Sequence, residues 1–227
     1  MNMQTTEEIE VFDDIPFVLD FDEFVSEIRA DAYPELADEV NRYVNRAAAV
    51  ARPRALLRVA YVGDRDGDAV EFGGQRFCSS VLAENLADIH RVFAYTASCG
   101  PEVYSLDISD LDPFASFWHD TFKIAVLQAA TNYLKQEVTA TYGISRFSNM
   151  NPGSGNVDVW PISQQRELFT VLGDTDGLIG VRLTDSFLMV PDKSVSGIFF
   201  PSERDYNNCQ TCSRKICPNR SAPYRPG

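Results

Sequence analysis

Residues 150–201 read MNPGSGNVDVWPISQQRELFTVLGDTDGLIGVRLTDSFLMVPDKSVSGIFFP, and no other stretch of the chain is as densely patterned. Turn signals fall at Pro152-Gly153, Gly155, Trp160-Pro161 and Pro191, and the apolar segments between them are too short for anything but packed elements of one sheet domain. Ser163 can cap a helix with Leu168, Phe169 and Leu172 facing inward, ended by Gly173, and Asp174 to Gly177 reads as a turn. Ile179–Leu183, Ser186–Val190 and Val195–Phe200 are strand candidates, with Pro191-Asp192-Lys193 turning between the last two. Three strands packed so closely predict an antiparallel meander.

The elements before this stretch alternate. Ile15–Leu19 predicts a strand, and Asp20 can cap a helix carrying Phe21, Phe24, Val25 and Ile28. A helix over Pro34–Ala51 puts Leu36, Val40, Tyr43, Val44 and Ala47 on one side. Ala55–Val62 and Val70–Phe72 read as a strand pair turning at Gly63–Gly67. A helix from Ser79 or Ser80 to His90 leads into a strand over Arg91–Thr96. Asp112-Pro113 opens a helix running to Gly143, with Phe117, Trp118, Phe122, Ala125, Ala129, Tyr133 and Leu134 forming a stripe that drifts around it. The sum is an α+β chain with one long core helix.

Composition narrows the class. Hydrophobic residues make up 44% of the 227 positions, enough apolar surface to offset chain entropy in a folded domain. The formal charge of −13 argues against nucleic acid as a partner, because polyanion binding draws on Lys and Arg. Residues 1–40 hold 13 acidic residues and one basic one, whereas from Tyr206 onward there are four basic residues and no acidic ones. That asymmetry reads either as a solvated acidic face with a basic tail folding back on it, or as a docking surface. No apolar run spans a membrane and the acidic N-terminus does not resemble a signal peptide, so a cytoplasmic location is expected, with thiols reduced.

The chemistry-bearing residues are few. Two histidines, His90 and His119, do not assemble a His-rich metal site or a triad. Asp88-Ile89-His90 has the first three residues of a corrinoid-ligating loop but not its glycines, so the chain does not read as the corrinoid carrier. No Gly-rich strand-turn-helix followed by an acidic residue appears, which disfavours an independent methyltransferase. In the tail, Cys209-x-x-Cys212-x4-Cys217-Pro218 supplies three thiolates, with Cys99, Cys78 or an outside ligand a candidate for the fourth position. Zinc, an iron–sulfur cluster, a redox pair and inert thiols all remain open. Cys99 itself, in the strand-end turn Ala97–Pro101, reads as either a small packing residue or a ligand-facing one.

The run Leu183–Phe200, with Met189, Pro191 and Lys193-Ser194-Val195-Ser196-Gly197, resembles the activation domain of cobalamin-dependent methionine synthase, over roughly Asp112–Tyr206. The resemblance implies a helmet-like α+β domain with a central antiparallel sheet packed against helices. The residues divide into one domain over 1–206, with 1–14 as an acidic lead, and a Cys-rich basic tail over 207–227 that the long methionine synthases lack. The resemblance further implies a stand-alone activator that docks on a corrinoid protein or a methionine synthase core. With S-adenosylmethionine, such an activator would support reductive reactivation of the cobalamin carried by that partner. By position, the ligand would lie along Arg146, Pro152, Gly153, Ser154 and Gly155, with Tyr206 as an aromatic contact. An arginine can pair with a carboxylate through two parallel hydrogen bonds, and glycines admit close approach of an adenosyl group. The family pattern Arg-x-x-Pro-Gly-Tyr differs here, since Arg146 precedes Pro152 by six residues and Ser154 takes the tyrosine's place. A non-catalytic, metal-stabilised binding module that kept the fold and lost the ligand is the competing reading.

Overall fold

The computed structural model describes residues 9–155, 159–202, 206, 208–210, 212, 214–216, 220 and 222–225. Its centre is an antiparallel sheet of seven strands: β1 (Ile9–Phe12), β2 (Arg54–Asp66), β3 (Ala69–Phe72), β4 (Gln75–Cys78), β5 (Arg91–Ser98), β6 (Phe147–Met150) and, far along the chain, the last strand at Ser194–Pro201. A small separate pair, β7 (Arg182–Leu183) and β8 (Met189–Val190), precedes that last strand, which is therefore β9. The order across the sheet is β4-β3-β2-β5-β9-β6, with β1 paired to β2.

The predicted meander of three adjacent strands is not what forms. β7 and β8 pair only with each other, while β9 inserts between β5 and β6. Hydrogen bonding explains the division: β9 finds a full-length partner in β5, Phe93 opposite Phe199 through Ser98 opposite Ser194, whereas β7 and β8 are two residues each. Asp174–Gly177 is also more than a turn, because Asp174 accepts from the Gly177 backbone and caps the short helix α7 (Thr175–Ile179).

Two departures lie near the front. Ile15–Leu19 forms no strand, and the strand there is instead Ile9–Phe12, within the stretch read as an acidic lead. β2 continues through the predicted turn to Asp66, so the hairpin turns at Gly67-Asp68, and β4 follows β3 through Gly73-Gly74.

The helices begin where the sequence places their caps. Asp20 accepts from Glu23 at the start of α1 (Phe21–Glu27), and Ser79 accepts from Leu82 at the start of α3 (Ser80–Asn85). The second predicted helix enters through a 3₁₀ turn at Pro34–Leu36 and becomes α2 (Ala37–Val50). After β5 comes α4 (Pro101–Tyr104), and Asp112 accepts from Phe114 just ahead of α5 (Ala115–Tyr142), 28 residues long. Ser163 makes no cap bond; α6 (Gln165–Leu172) grows out of a 3₁₀ turn over Ile162–Gln164.

Alternation along the strands separates the core. Leu56 and Ala60 of β2, Val92 and Ala94 of β5 and Ile198 and Phe200 of β9 join Trp160, Leu168, Val171 and Leu172 on one face. Their neighbours Leu57 and Val59, Phe93 and Tyr95, and Phe199 join Ala130, Leu134 and Val138 of α5 on the other. A third cluster holds Phe24, Tyr43, Val44, Trp118, Phe122 and Val126 among α1, α2 and α5. The buried residues Trp118, Phe122, Val126, Ala130, Leu134 and Val138 are spaced by four. Against a helical repeat of 3.6, that spacing rotates the stripe by about 200° from end to end. One helix thereby faces the helical cluster with its first half and the sheet with its second.

Gly197 sits at the middle of β9, where a Cβ would collide with the Asn151 side chain and the Met150 carbonyl. We expect Gly197→Ala to lower stability by about 1–3 kcal/mol, the usual range for overpacking a filled site. Urea unfolding with an unchanged slope and a lower midpoint would confirm it.

Candidate functional site

The turn after β6 is built from both sides. Met150 pairs with Ile198 and is buried, and the next residue, Asn151, donates its amide to the Tyr95 hydroxyl at 2.8 Å and to the Ser196 carbonyl at 2.7 Å. Tyr95 in turn donates to Asn149 Oδ1 at 3.0 Å and stacks on Phe199, ring centres 4.1 Å apart. Burial pushes the Tyr95 phenol up to about 12, with the two asparagines acting in the opposite sense, so it stays protonated and keeps its donor. This amide–phenol–amide chain reaches from β6 to β5 across Gly197, where only a glycine leaves room.

Pro152 is buried behind it, and Gly153, at φ +75°, donates to the Trp160 carbonyl at 2.7 Å. A Cβ on Gly153 would stand 2.8 Å from Ile162. Trp160 is fully buried edge-on to Phe77, so the turn is fastened to the apolar core. Ser154 and Gly155 follow, half-buried.

Arg146 stands at the opposite end of β6. The four residues of β6 and Asn151 separate it from Pro152, six positions along the chain and roughly 20 Å at the usual rise per residue. It is exposed and lines an open cavity of about 670 Å³ with Glu84, Asp88, Ser145 and Ser202 among others. Tyr206 packs against the cluster that holds Trp160 and Leu168. The predicted ligand residues thus fall into two groups: Pro152–Gly155 at one end of β6 and Arg146, beside its cavity, at the other. Sequence reasoning misses Tyr95, Asn149 and Asn151, whose one visible cue is the asparagines flanking Met150. It reads Asp88 for a different role and overlooks Glu84.

The Pro191–Ser194 turn is held by a closed ring of charge. Lys123, nearly buried on α5, lies 3.0 Å from Asp120 and 3.1 Å from Asp192, and Lys193 lies 3.4 Å and 3.1 Å from the same two carboxylates. Burial works to raise both Asp120 and Asp192, but the combined hydrogen bonds and charges of Lys123 and Lys193 outweigh it and leave both below the ordinary value. His119 on the same helix meets the Tyr43 hydroxyl at 3.1 Å, and burial first, then the charge of Lys123, lowers its pKa. It is a packed core partner. His90 is exposed at the end of its turn.

The cysteines scatter. Cys99 is fully buried in the helical cluster beside Val103 and Trp118, and burial pushes its thiol up to about 12. Cys209 and Cys212 follow Tyr206, which packs on the other face of the sheet, and Cys78 is exposed on β4. Cys217 lies outside the described residues. Among the described residues, no group of three His, Cys, Asp or Glu side chains could hold a metal ion, so Cys99 is not brought to the tail. No helix among them is long and apolar enough to cross a membrane.

Comparison with known proteins places this architecture. Residues 114–217 match the family model described as the vitamin B12 dependent methionine synthase activation domain. A search of curated proteins returns no match. The fold is similar to a crystal structure of the MetH reactivation domain bound to AdoHcy, at TM-score 0.59 and 15% identity, covering 90% of this chain and 82% of that one. The resemblance read from the motif Leu183–Phe200 is borne out, as are the α+β class, the central antiparallel sheet and the long core helix. At this identity the structural likeness speaks for the fold.

The charge ring has a measurable consequence. Because Asp120 and Asp192 titrate lower in the folded chain than unfolded, their contribution is present above the unfolded carboxylate value, near pH 4, and lost as pH falls through the folded value. We expect the urea midpoint to drop between pH 5 and pH 3, and Lys123→Met to show a smaller drop over that window from a lower starting stability.

Proposed function

We propose that the chain is an activator that docks on a corrinoid-carrying methyltransferase of the methionine synthase type and supports reductive reactivation of its cobalt centre. The observation that carries this reading is the match of residues 114–217 to the activation-domain family. The likeness of nearly the whole fold to a reactivation domain solved with AdoHcy supports it. S-adenosylmethionine, when bound, supplies a methyl group to the reduced cobalt and leaves as the AdoHcy thioether.

Two parts of the chain suit such a ligand. At the cavity end of β6, Arg146 offers a guanidinium for the ligand's carboxylate, and Asp88 and Glu84 in the same lining offer carboxylates for its ammonium and sulfonium charges. At the other end, the Pro152–Gly155 turn is held by the core, and its half-buried Ser154 and Gly155 are the part that a ligand could reach. In this division of labour the chain's residues bind and orient the methyl donor, and the partner carries the metal. The competing reading, a binding module that kept the fold without the ligand, draws on the separation of Arg146 from Pro152 along β6 and on Ser154 in the position of the family's tyrosine.

Calorimetry with S-adenosylmethionine separates the two. The wild type is expected to bind, and Arg146→Ala and Asp88→Asn to bind roughly ten- to hundredfold more weakly, as expected for losing a charged hydrogen bond. The activity itself is read by adding the protein to a cob(II)alamin-loaded corrinoid protein with reductant and S-adenosylmethionine. Methylcobalamin should form faster than without it, and an unchanged rate overturns the activator reading.

A further inference from the structure

The acidic front of the chain is a feature that neither the fold nor the ligand reading absorbs. Residues 1–40 carry 13 acidic side chains and one basic one. Part of that charge rims a groove of about 270 Å³ between α1 and α5. The floor of the groove is apolar. Phe24 is buried and Phe17 half-buried on the α1 side, and Ala125 and Ala129, one helical turn apart on α5, leave the space open. Val18 stands at the lip, 91% exposed. Asp20, Glu23 and Glu27 line the same groove, and all three are exposed.

These carboxylates sit at a local cost. Glu23 and Glu27 are four apart on one short helix, where like charges repel, and Glu27 ends α1, where the helix dipole favours a cation. No basic residue occupies that last turn. Among the described residues no ion pair reaches Asp20, Glu23 or Glu27, and the one cation of the front, Arg29, pairs with none of them. The α5 wall adds no charge. The basic tail does not fold back to neutralise them. Tyr206 packs on the sheet face opposite α5, and among the described residues no ion pair joins Arg214, Lys215, Arg220 or Arg225 to an acidic side chain.

We infer that this groove is a docking surface for a cationic amphipathic helix of a partner protein. The helix seats an apolar side chain over Ala125 and Ala129 and sets Lys or Arg against Asp20, Glu23 and Glu27. The apolar floor supplies affinity through burial, and the unbalanced carboxylates select the sign of the partner's charge and speed its approach. At about 270 Å³ the groove falls below the roughly 300–1,000 Å³ of small-molecule sites, which suits an inserted side chain. It shares no lining residue with the cavity beside Arg146, so the surface is independent of the methyl-donor reading.

The probe is a fluorescein-labelled peptide of leucine and lysine, about four helical turns long with the leucines on one face. Fluorescence polarisation should show saturable one-to-one binding to the full chain that weakens as salt rises, and a scrambled peptide of the same composition should bind far less. Glu23→Gln/Glu27→Gln should weaken binding roughly three- to tenfold, the worth of two exposed charge pairs, with a urea midpoint at or above the wild type because a repulsion is gone. Asp64→Asn/Asp185→Asn, which removes the same net charge from exposed positions outside the groove, should leave binding nearly unchanged. Ala129→Leu fills the groove and should weaken binding roughly tenfold. Val18→Ser, at a position too exposed to affect folding, should weaken it as well. No saturable binding, equal binding of the scrambled peptide, an equal loss in the Asp64/Asp185 variant, or full affinity in both Ala129→Leu and Val18→Ser overturns the surface. Self-association of the wild type that Ala129→Leu abolishes assigns the groove to a second copy and overturns the partner.

Discussion

Where Gly197 has no side chain, the Asn151 amide occupies the space and joins the Tyr95 hydroxyl to the Ser196 carbonyl. Three strands that are far apart in sequence, β5, β6 and β9, are locked in register at this point. The turn that follows Asn151 inherits its position from the lock, and the Gly153–Trp160 hydrogen bond transmits that position to the apolar face of the sheet. The Ser194-Val195-Ser196-Gly197 segment that carries the resemblance is therefore a packing solution. Its glycine clears a path for a hydrogen-bond chain, and Ser194 bonds to Ser98 and to the Pro191 carbonyl.

Much of this architecture is legible from residue patterns. Capping oxygens at Asp20 and Ser79 mark the starts of α1 and α3, and apolar periodicity marks the long helix α5 to within a few residues, because caps and periodicity act locally, whereas α3 ends at Asn85, five residues short of the expected His90. Strand pairing is less legible. Val195–Phe200 reads correctly as a strand, but its partners are Phe93–Ser98, a hundred residues earlier, and Phe147–Met150, and no local signal in the 179–200 stretch names them. Ile9–Phe12 escapes notice because its alternating Glu10 is polar and its neighbours are acidic. Pairing with Ala55–Arg58 decides the matter, not propensity.

The candidate site divides along the same line. The Pro152–Gly155 turn announces itself through glycines at positive φ, a property of the residues themselves. Arg146 and Pro152 look like neighbours in a string of letters, yet an extended strand between them sets them at opposite ends of β6. Asp88 and Glu84 come to line the same cavity as Arg146 only through the fold.

The rotation of the apolar stripe along α5 makes one helix a shared wall. Trp118, Phe122 and Val126 belong to the helical cluster and Ala130, Leu134 and Val138 to the sheet, yet all six stand on one rigid rod of about 42 Å. Neither cluster can open without exposing the flank that the helix lends to the other. The helical front and the sheet are thereby bound into one cooperative unit, so loosening at one end of the rod is felt as lost protection in amide exchange at the other.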